Sequence, residues 1–370
     1  MTWQSAHAWR APRQIRLASL DISANDIYRA VSQGGAMLWQ GDYHQARQML
    51  AAVKRRLDKK PASLESHEWP DQFHRIRLHR SQVARQTGLL LIQVKPGYVI
   101  DLKRTPDPET VQAALQIAYG TRLQNETFVV PLTELMGVFS AYQWHRKGLP
   151  VAALGQNIYP RWGVFAPTRH EYLDLLMAAE LPTHCQTAVD VGTGTGVLAL
   201  LLAKRGVRQV IATDTNAAAI SCATDNVMRV GLQTQIRVLN TDLIPDGQFD
   251  LIVCNPPWLP GAASGPLEAA VYDPHSQMLQ SFLSKVGSHL TPAGQAWLIL
   301  SDLAQHLKLR SPAQLLEWIE QAGLMVIKRL EAQPTHRKLQ DKKDPLAAVR
   351  NAEMTSLWQL KRVSSSAETP

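Results

Sequence analysis

Ten residues constrain this chain more than any others: Ala188-Val-Asp-Val-Gly-Thr-Gly-Thr-Gly-Val197. The apolar run ending at Val191 reads as a buried strand. Three glycines at every second position make a turn, and Val197–Lys204 continues as an apolar helix. The segments around it repeat that rhythm. β-like runs at Ala188–Val191, Gln209–Ala212, Gln235–Leu239, Leu251–Cys254, Ala296–Leu300 and Met325–Lys328 alternate with helical ones. Such alternation predicts a parallel sheet with helices on both faces. A last strand, Thr355–Lys361, follows a polar stretch instead of a helix, so it is expected to run antiparallel. The fold class is therefore α/β, a Rossmann-like sheet of seven strands.

The first half has another character and reads as an α+β accessory domain. Ser23 with Asp26 is a capping pair opening a helix from Ala24, and Gly34-Gly35 breaks it. Ala46, Met49, Leu50, Val53 and Leu57 recur at helical spacing. Helices are also expected over Gln72–Arg85, Pro108–Tyr119 and Leu132–Trp144. Leu89–Val94 and Tyr98–Leu102 flank Pro96-Gly97 as the arms of a β-hairpin. The expected division is an accessory, substrate-recognition domain over 1–148, a linker hairpin over 149–170, a catalytic domain over 171–363 and a disordered tail over 364–370. A small polar linker is expected near Ala62–Glu68.

Charge divides the same way. Residues 1–160 hold 20 Lys and Arg against 12 Asp and Glu, an excess of eight; residues 161–370 hold 19 of each. The whole net charge of +8 thus lies in the first half. A basic half suits a polyanion such as RNA or a ribosomal surface, or is a solvated face with no partner. Cys185, Cys222 and Cys254 form no Cys-x-x-Cys pair, so neither a metal site nor a disulfide framework is expected. No apolar run approaches the ~20 residues a membrane span requires. The N-terminus lacks the apolar stretch of a secretory signal. A soluble cytoplasmic protein is the expectation.

The glycine turn is suited to a ligand. Glycines let backbone approach closely, and the following helix start offers free N–H groups. Asp190, at the strand end, suits an ammonium group. Asp214 ends the next strand, 22 residues after Gly192, where an acid can hydrogen-bond ribose hydroxyls; otherwise it is a helix cap ahead of Asn216. Nicotinamide dinucleotide sites use a related turn, with different glycine spacing. Asp242, in Asn240-Thr-Asp242, is placed to accept an adenine amino group, or else serves a turn.

A second constellation separates these cases. Phe249-Asp-Leu-Ile-Val-Cys-Asn-Pro-Pro-Trp258 is a buried strand ending in a stiff turn. Pro256 and Pro257 carry no N–H, which leaves the Asn255 side-chain oxygen and the Pro256 carbonyl as acceptors. Trp258 adds a flat π surface. Two acceptors and a plane are what a planar NH2 group requires. An ordinary Asn-Pro turn with a packing tryptophan is the structural alternative.

Together the two motifs resemble the class I S-adenosylmethionine-dependent methyltransferases of the small-domain group, over roughly Val164 to Arg362. The resemblance implies a seven-stranded methyltransferase sheet and S-adenosylmethionine as cofactor. It implies cofactor contacts from Asp190, Gly192, Thr193, Gly194, Gly196, Asp214 and Asp242, and a target site made by Asn255, Pro256, Pro257 and Trp258. No metal is implied. The target nitrogen's lone pair would be aimed at the sulfonium methyl, and rate would come from alignment and electrostatics.

Two subfamilies share these motifs. In the HemK-like glutamine methyltransferases, a Pro-Val-Ala…Gly…Phe…Pro…Glu linker precedes the catalytic domain. Here Pro150-Val-Ala-Ala-Leu-Gly155, Gly163-Val-Phe165-Ala-Pro167 and Glu171 resemble it. Pro167-Thr-Arg-His-Glu171 replaces the usual Arg-Pro-Glu-Thr-Glu, and Trp258 the usual tyrosine. In the rRNA guanine N2-methyltransferases, the helix and strand after the motif resemble Phe282–Leu300. A translation-associated protein or RNA is the expected partner, with a glutamine side chain favoured over an RNA base. A cofactor-binding module without catalysis is the third reading. The polar stretch Gln333–Glu353 joins the last two strands, so it should lie near the strand ends where ligands bind.

Overall fold

A computed structural model describes residues 2–7, 9–59, 68–334 and 344–363. The expected tail over 364–370, most of the polar linker near Ala62, and residues 335–343 of the last polar stretch lie outside them. The chain divides into two compact units, Met1–Arg146 and Lys147–Pro370.

The first unit contains β1 (Thr2–Trp3), β2 (Ile15–Ala18), α1 (Ala24–Ser32), β3 (Ala36–Trp39), α2 (Tyr43–Leu57), α3 (Trp69–Thr87), β4 (Leu90–Val94), α4 (Pro108–Tyr119), β5 (Phe128–Pro131) and α5 (Leu132–Lys147). Its sheet runs β1-β5-β4-β3-β2. β2, β3 and β4 are parallel, and β5 is antiparallel to β4. Three of these helices, α1, α2 and α4, start at side-chain caps. Ser23 Oγ accepts the Asp26 N–H at 3.1 Å, Asp42 accepts from Gln45 at 3.0 Å, and Asp107 accepts from Thr110 at 2.9 Å. Each cap satisfies a donor the helix itself leaves open.

One expectation fails here. Tyr98–Leu102 is not the second arm of a hairpin. Pro96–Tyr98 forms a 3-10 turn with Gly97 at φ 76°, and the returning chain makes a single bridge, Lys95 to Val99. The reason is topological: β4 is a central strand whose two edges are taken by β3 and β5.

The second unit opens with an antiparallel pair, β6 (Leu149–Val151) and β7 (Gln156–Ile158), then α6 (Glu171–Ala178). Alternation follows: β8 (Thr187–Val191), α7 (Val197–Lys204), β9 (Gln209–Asp214), α8 (Ala217–Val230), β10 (Ile236–Asn240) and β11 (Phe249–Cys254). A short excursion holds β12 (Leu259–Pro260), α9 (Pro266–Ala269) and β13 (Tyr272–Asp273). Last come α10 (Gln277–Val286), β14 (Leu290–Ser301), α11 (Leu303–His306), α12 (Pro312–Gln321), β15 (Leu324–Ala332), α13 (Ala347–Asn351) and β16 (Thr355–Arg362).

The seven-stranded sheet runs β10-β9-β8-β11-β14-β16-β15. All seven expected strands are in it. β16 is antiparallel to both neighbours, as its polar approach implied. The sheet is buried on both faces, so successive residues of each central strand feed two cores. Leu251 and Val253 enter one, with Ala188, Trp297 and α7; Ile252 and Cys254 enter the other, with Val189, Leu298 and α10. Every α7 residue from Val197 to Ala203 is buried. Each such Leu or Val contributes roughly 1.5–3 kcal/mol, which pins this helix start against the sheet. Strand order reverses between β8 and β11, and the carboxyl ends of those neighbours form the crevice where α/β sheets hold ligands. No helix among the described residues is long and apolar enough to cross a membrane.

Candidate active site

Register brings the two motifs together. Cys254 of β11 pairs with Val191 of β8. The next residues, Asn255 and Gly192, therefore leave the sheet side by side although 63 positions apart in the chain. A cleft of 440 Å³ opens there, within the range of small-molecule sites. Gly192, Thr193, Gly194, Asp214, Asp242, Asn255 and Pro257 line it; Asp190, Gly196, Pro256 and Trp258 do not.

The glycine turn is held by atoms close to it. Gly192, Gly194 and Gly196 have φ of 71°, 56° and 83°, a region that favours glycine. Gly196 also lies against α8: a Cβ there would meet Ala223 at 3.3 Å. The Thr193 N–H donates to the Thr213 carbonyl at 2.8 Å, and Asp214 Oδ2 accepts the Gly194 N–H at 3.0 Å. Asp214 Oδ1 accepts from Asn216 at 2.9 Å, while Asn216 itself caps α8. Asp214 thus braces the turn and still lines the cleft. Asp242 is largely exposed, 3.9 Å from Lys285.

Asp190 lies beneath the turn. It is fully buried; Oδ2 accepts from Thr193 Oγ1 at 2.6 Å and from the Ala199 N–H at 3.0 Å, and Oδ1 has no hydrogen-bond partner. Burial pushes its carboxyl up to about 6; the Thr193 and Ala199 hydrogen bonds oppose this and the Asp214 charge adds to it. It ties the turn to the first residues of α7.

The second turn is held from farther away. Trp258 Nε1–H donates to Asn255 Oδ1 at 2.9 Å. One face of that indole is covered by the Arg169 guanidinium, 4.6 Å from a ring centroid. Arg169 donates to Glu171 at 2.5 Å, to Glu353 at 2.9 Å and to Thr355 at 3.0 Å. Sequence reasoning singled out neither Arg169 nor Glu353 for the site. Glu353 does lie in the polar stretch expected near the strand ends. Asn226 was also missed: fully buried on α8, it accepts the Tyr159 N–H and donates to the Thr195 carbonyl, tying the approach segment to the glycine turn.

Comparison with known proteins decides the family. Residues 156–323 match the methyltransferase small domain. Those residues are a methyltransferase small domain of the class I S-adenosylmethionine-dependent type. S-adenosylmethionine is accordingly the cofactor of that domain. The methyltransferase region resembles the ribosomal protein L11 methyltransferase of Symbiobacterium thermophilum, at 32% identity over 26% of this chain and 38% of that one. It resembles the tRNA1(Val) (adenine(37)-N6)-methyltransferase of Vibrio vulnificus at 29% identity, over 42% and 67%. It resembles the release factor glutamine methyltransferase of Mycolicibacterium smegmatis at 33% identity, over 46% and 56%. The chain thus spans from 38% to 67% of the length of these relatives.

The cleft fits the cofactor by its chemistry. Its floor is glycine backbone at a helix start, and Asp214 and Asp242 supply carboxylates at its walls. When bound, S-adenosylmethionine supplies an electrophilic methyl group. Asn255, at the same cleft, supplies a fixed carbonyl oxygen.

Proposed function

We propose that this methyltransferase transfers a methyl group to the NH2 nitrogen of a flat group in a macromolecule of the translation apparatus, with a glutamine carboxamide favoured. Asn255 carries the reading: it lines the cleft beside Gly192, with its oxygen oriented by an indole N–H. That oxygen has two lone pairs; Trp258 takes one, and the other is left for one hydrogen of the target. The Pro256 carbonyl is proposed for the second hydrogen. Cofactor contacts are assigned to Gly192, Thr193, Gly194, Asp214 and Asp242, with Asp190 and Gly196 shaping the turn from behind. Alignment supplies the rate. The linker from Pro150 to Glu171 and the release factor relative favour glutamine.

An RNA base is the second reading, favoured by the first unit. α2 and α3 expose Arg47, Lys54, Arg55, Arg75, Arg80 and Arg85, and Asp71 is the one acid within the two helices. The test is transfer of tritiated methyl from the cofactor by purified enzyme to extract of a strain lacking the gene. Counts that survive RNase and vanish with protease support glutamine. Counts that vanish with RNase alone overturn it in favour of the base.

A further inference from the structure

The target turn is oriented by a buried ion cluster that neither motif contains. We propose that Arg169, clamped by Glu171 and Glu353, is a positioning residue that fixes Trp258 and, through it, the Asn255 carboxamide. This deepens the reading above and rests on Asn255 as the target's acceptor.

An indole N–H can only donate. The Asn255 atom 2.9 Å from Trp258 Nε1 is therefore the carboxamide oxygen, and the amide cannot turn over without losing that bond. An inverted amide would present a donor to a target that is itself a donor. The orientation of Asn255 thus depends on where the Trp258 ring lies.

The ring is held in turn by Arg169. Its guanidinium uses Nε, Nη1 and Nη2 on three acceptors: Glu171 Oε1, Glu353 Oε1 and Thr355 Oγ1. Three bonds from one planar group fix its plane. Its face then lies over the indole, where a cation is attracted by the ring's π electrons. The acceptors are fixed as well. Ser301 Oγ donates to Glu353 Oε1 at 2.6 Å, and Ser301 and Thr355 pair across β14 and β16. Glu353 is fully buried and Glu171 nearly so. Buried carboxylates beside a cation are costly to strip of it, so the clamp is rigid. The arrangement also makes Trp258 a brace: the face under Arg169 is closed to a target, and the ring packs against both cores.

The test uses the full chain labelled with 15N at tryptophan. Trp258→Phe assigns the Trp258 indole resonance. Arg169→Met is expected to shift or broaden that resonance, to cut methyl labelling of extract at saturating cofactor about tenfold or more, and to leave S-adenosylhomocysteine affinity within about twofold. Arg169→Lys should not rescue, because an ammonium cannot make three coplanar bonds. An unmoved Trp258 resonance with near wild-type labelling overturns the proposal. Should Arg169→Met lose S-adenosylhomocysteine binding, Glu353→Gln decides: a displaced indole signal supports the clamp, and an unmoved one refutes it. If wild-type enzyme labels no extract, the proposed function fails while the indole measurement still decides this inference.

Discussion

The two turns at the ends of β8 and β11 are neighbours in space and opposites in construction. The glycine turn is stabilised locally. Asp190 binds Thr193 and Ala199, Thr193 binds Thr213, and Asp214 binds Gly194 and Asn216. All these partners lie within residues 190–216, and Asn226 adds one bond from α8 to the Thr195 carbonyl. The Asn255–Trp258 turn has one internal bond, from Trp258 to Asn255, and then depends on Arg169 and, through it, on Glu171, Glu353 and Thr355. The turn proposed for the cofactor is thus held largely by its own neighbourhood. The turn proposed for the target has its setting supplied from outside, where substitutions could retune it without touching the glycine turn.

The strongest way to break that division is Asn255→Ala. It removes the acceptor proposed for the target and leaves every bond of the glycine turn in place. Methyl transfer should fall by about 10²–10³, as when one preorganised hydrogen-bonding group is lost. S-adenosylhomocysteine binding, followed by calorimetry, should stay near wild type. Equal losses of binding and turnover would show that the two turns are a single unit.

Legibility in the sequence follows the same line. The seven strands and the glycine turn were readable because each is specified by contiguous residues: an apolar run, then glycines at fixed steps. Asn255 and its two prolines were readable for the same reason. Arg169 and Glu353 were not, because 184 positions separate them and nothing local marks either as a partner. The first unit shows the limit from another side. β3 and β5 are four-residue apolar runs, all buried, and so short a run cannot be told from a helix segment by periodicity. The missing hairpin arm failed differently: the Pro96-Gly97 turn exists, but β4 has no free edge for a returning strand.

A middle-sized effect is expected at Asp214. Its two oxygens each accept a backbone N–H, so Asp214→Ala frees Gly194 and removes a carboxylate from the cleft. Cofactor affinity should weaken by about 1–3 kcal/mol, the scale of hydrogen bonds to a charged group. Asp214→Asn, which keeps one acceptor, should lose less. In both variants the Trp258 indole resonance should stay where it is. Movement of that resonance would mean the two turns are coupled.

The smallest expected effect probes the charge under each turn. Glu171 and Glu353 both reach Arg169, whereas none of the ion pairs among the described residues includes Asp190. Its carboxyl is raised from 3.8 to about 6, chiefly by burial. A carboxyl with a folded value above its unfolded one binds its proton more tightly in the folded state. Stability from this group is therefore greatest at low pH and falls as pH rises from 3.8 to 6, by about 3 kcal/mol over the whole window. Most of that window lies at acid pH, so between pH 5 and pH 8 the expected fall is roughly 1 kcal/mol. Asp190→Asn cannot ionise and should lack the dependence. The comparison to make is the stability gap between wild type and Asp190→Asn at pH 5 and at pH 8, by denaturant unfolding of the second unit. Whatever its value at pH 5, the gap should move against wild type as pH rises. A gap that is constant, or that moves toward wild type, would mean a cation compensates Asp190 in solution, and the contrast in charge between the two turns would be lost.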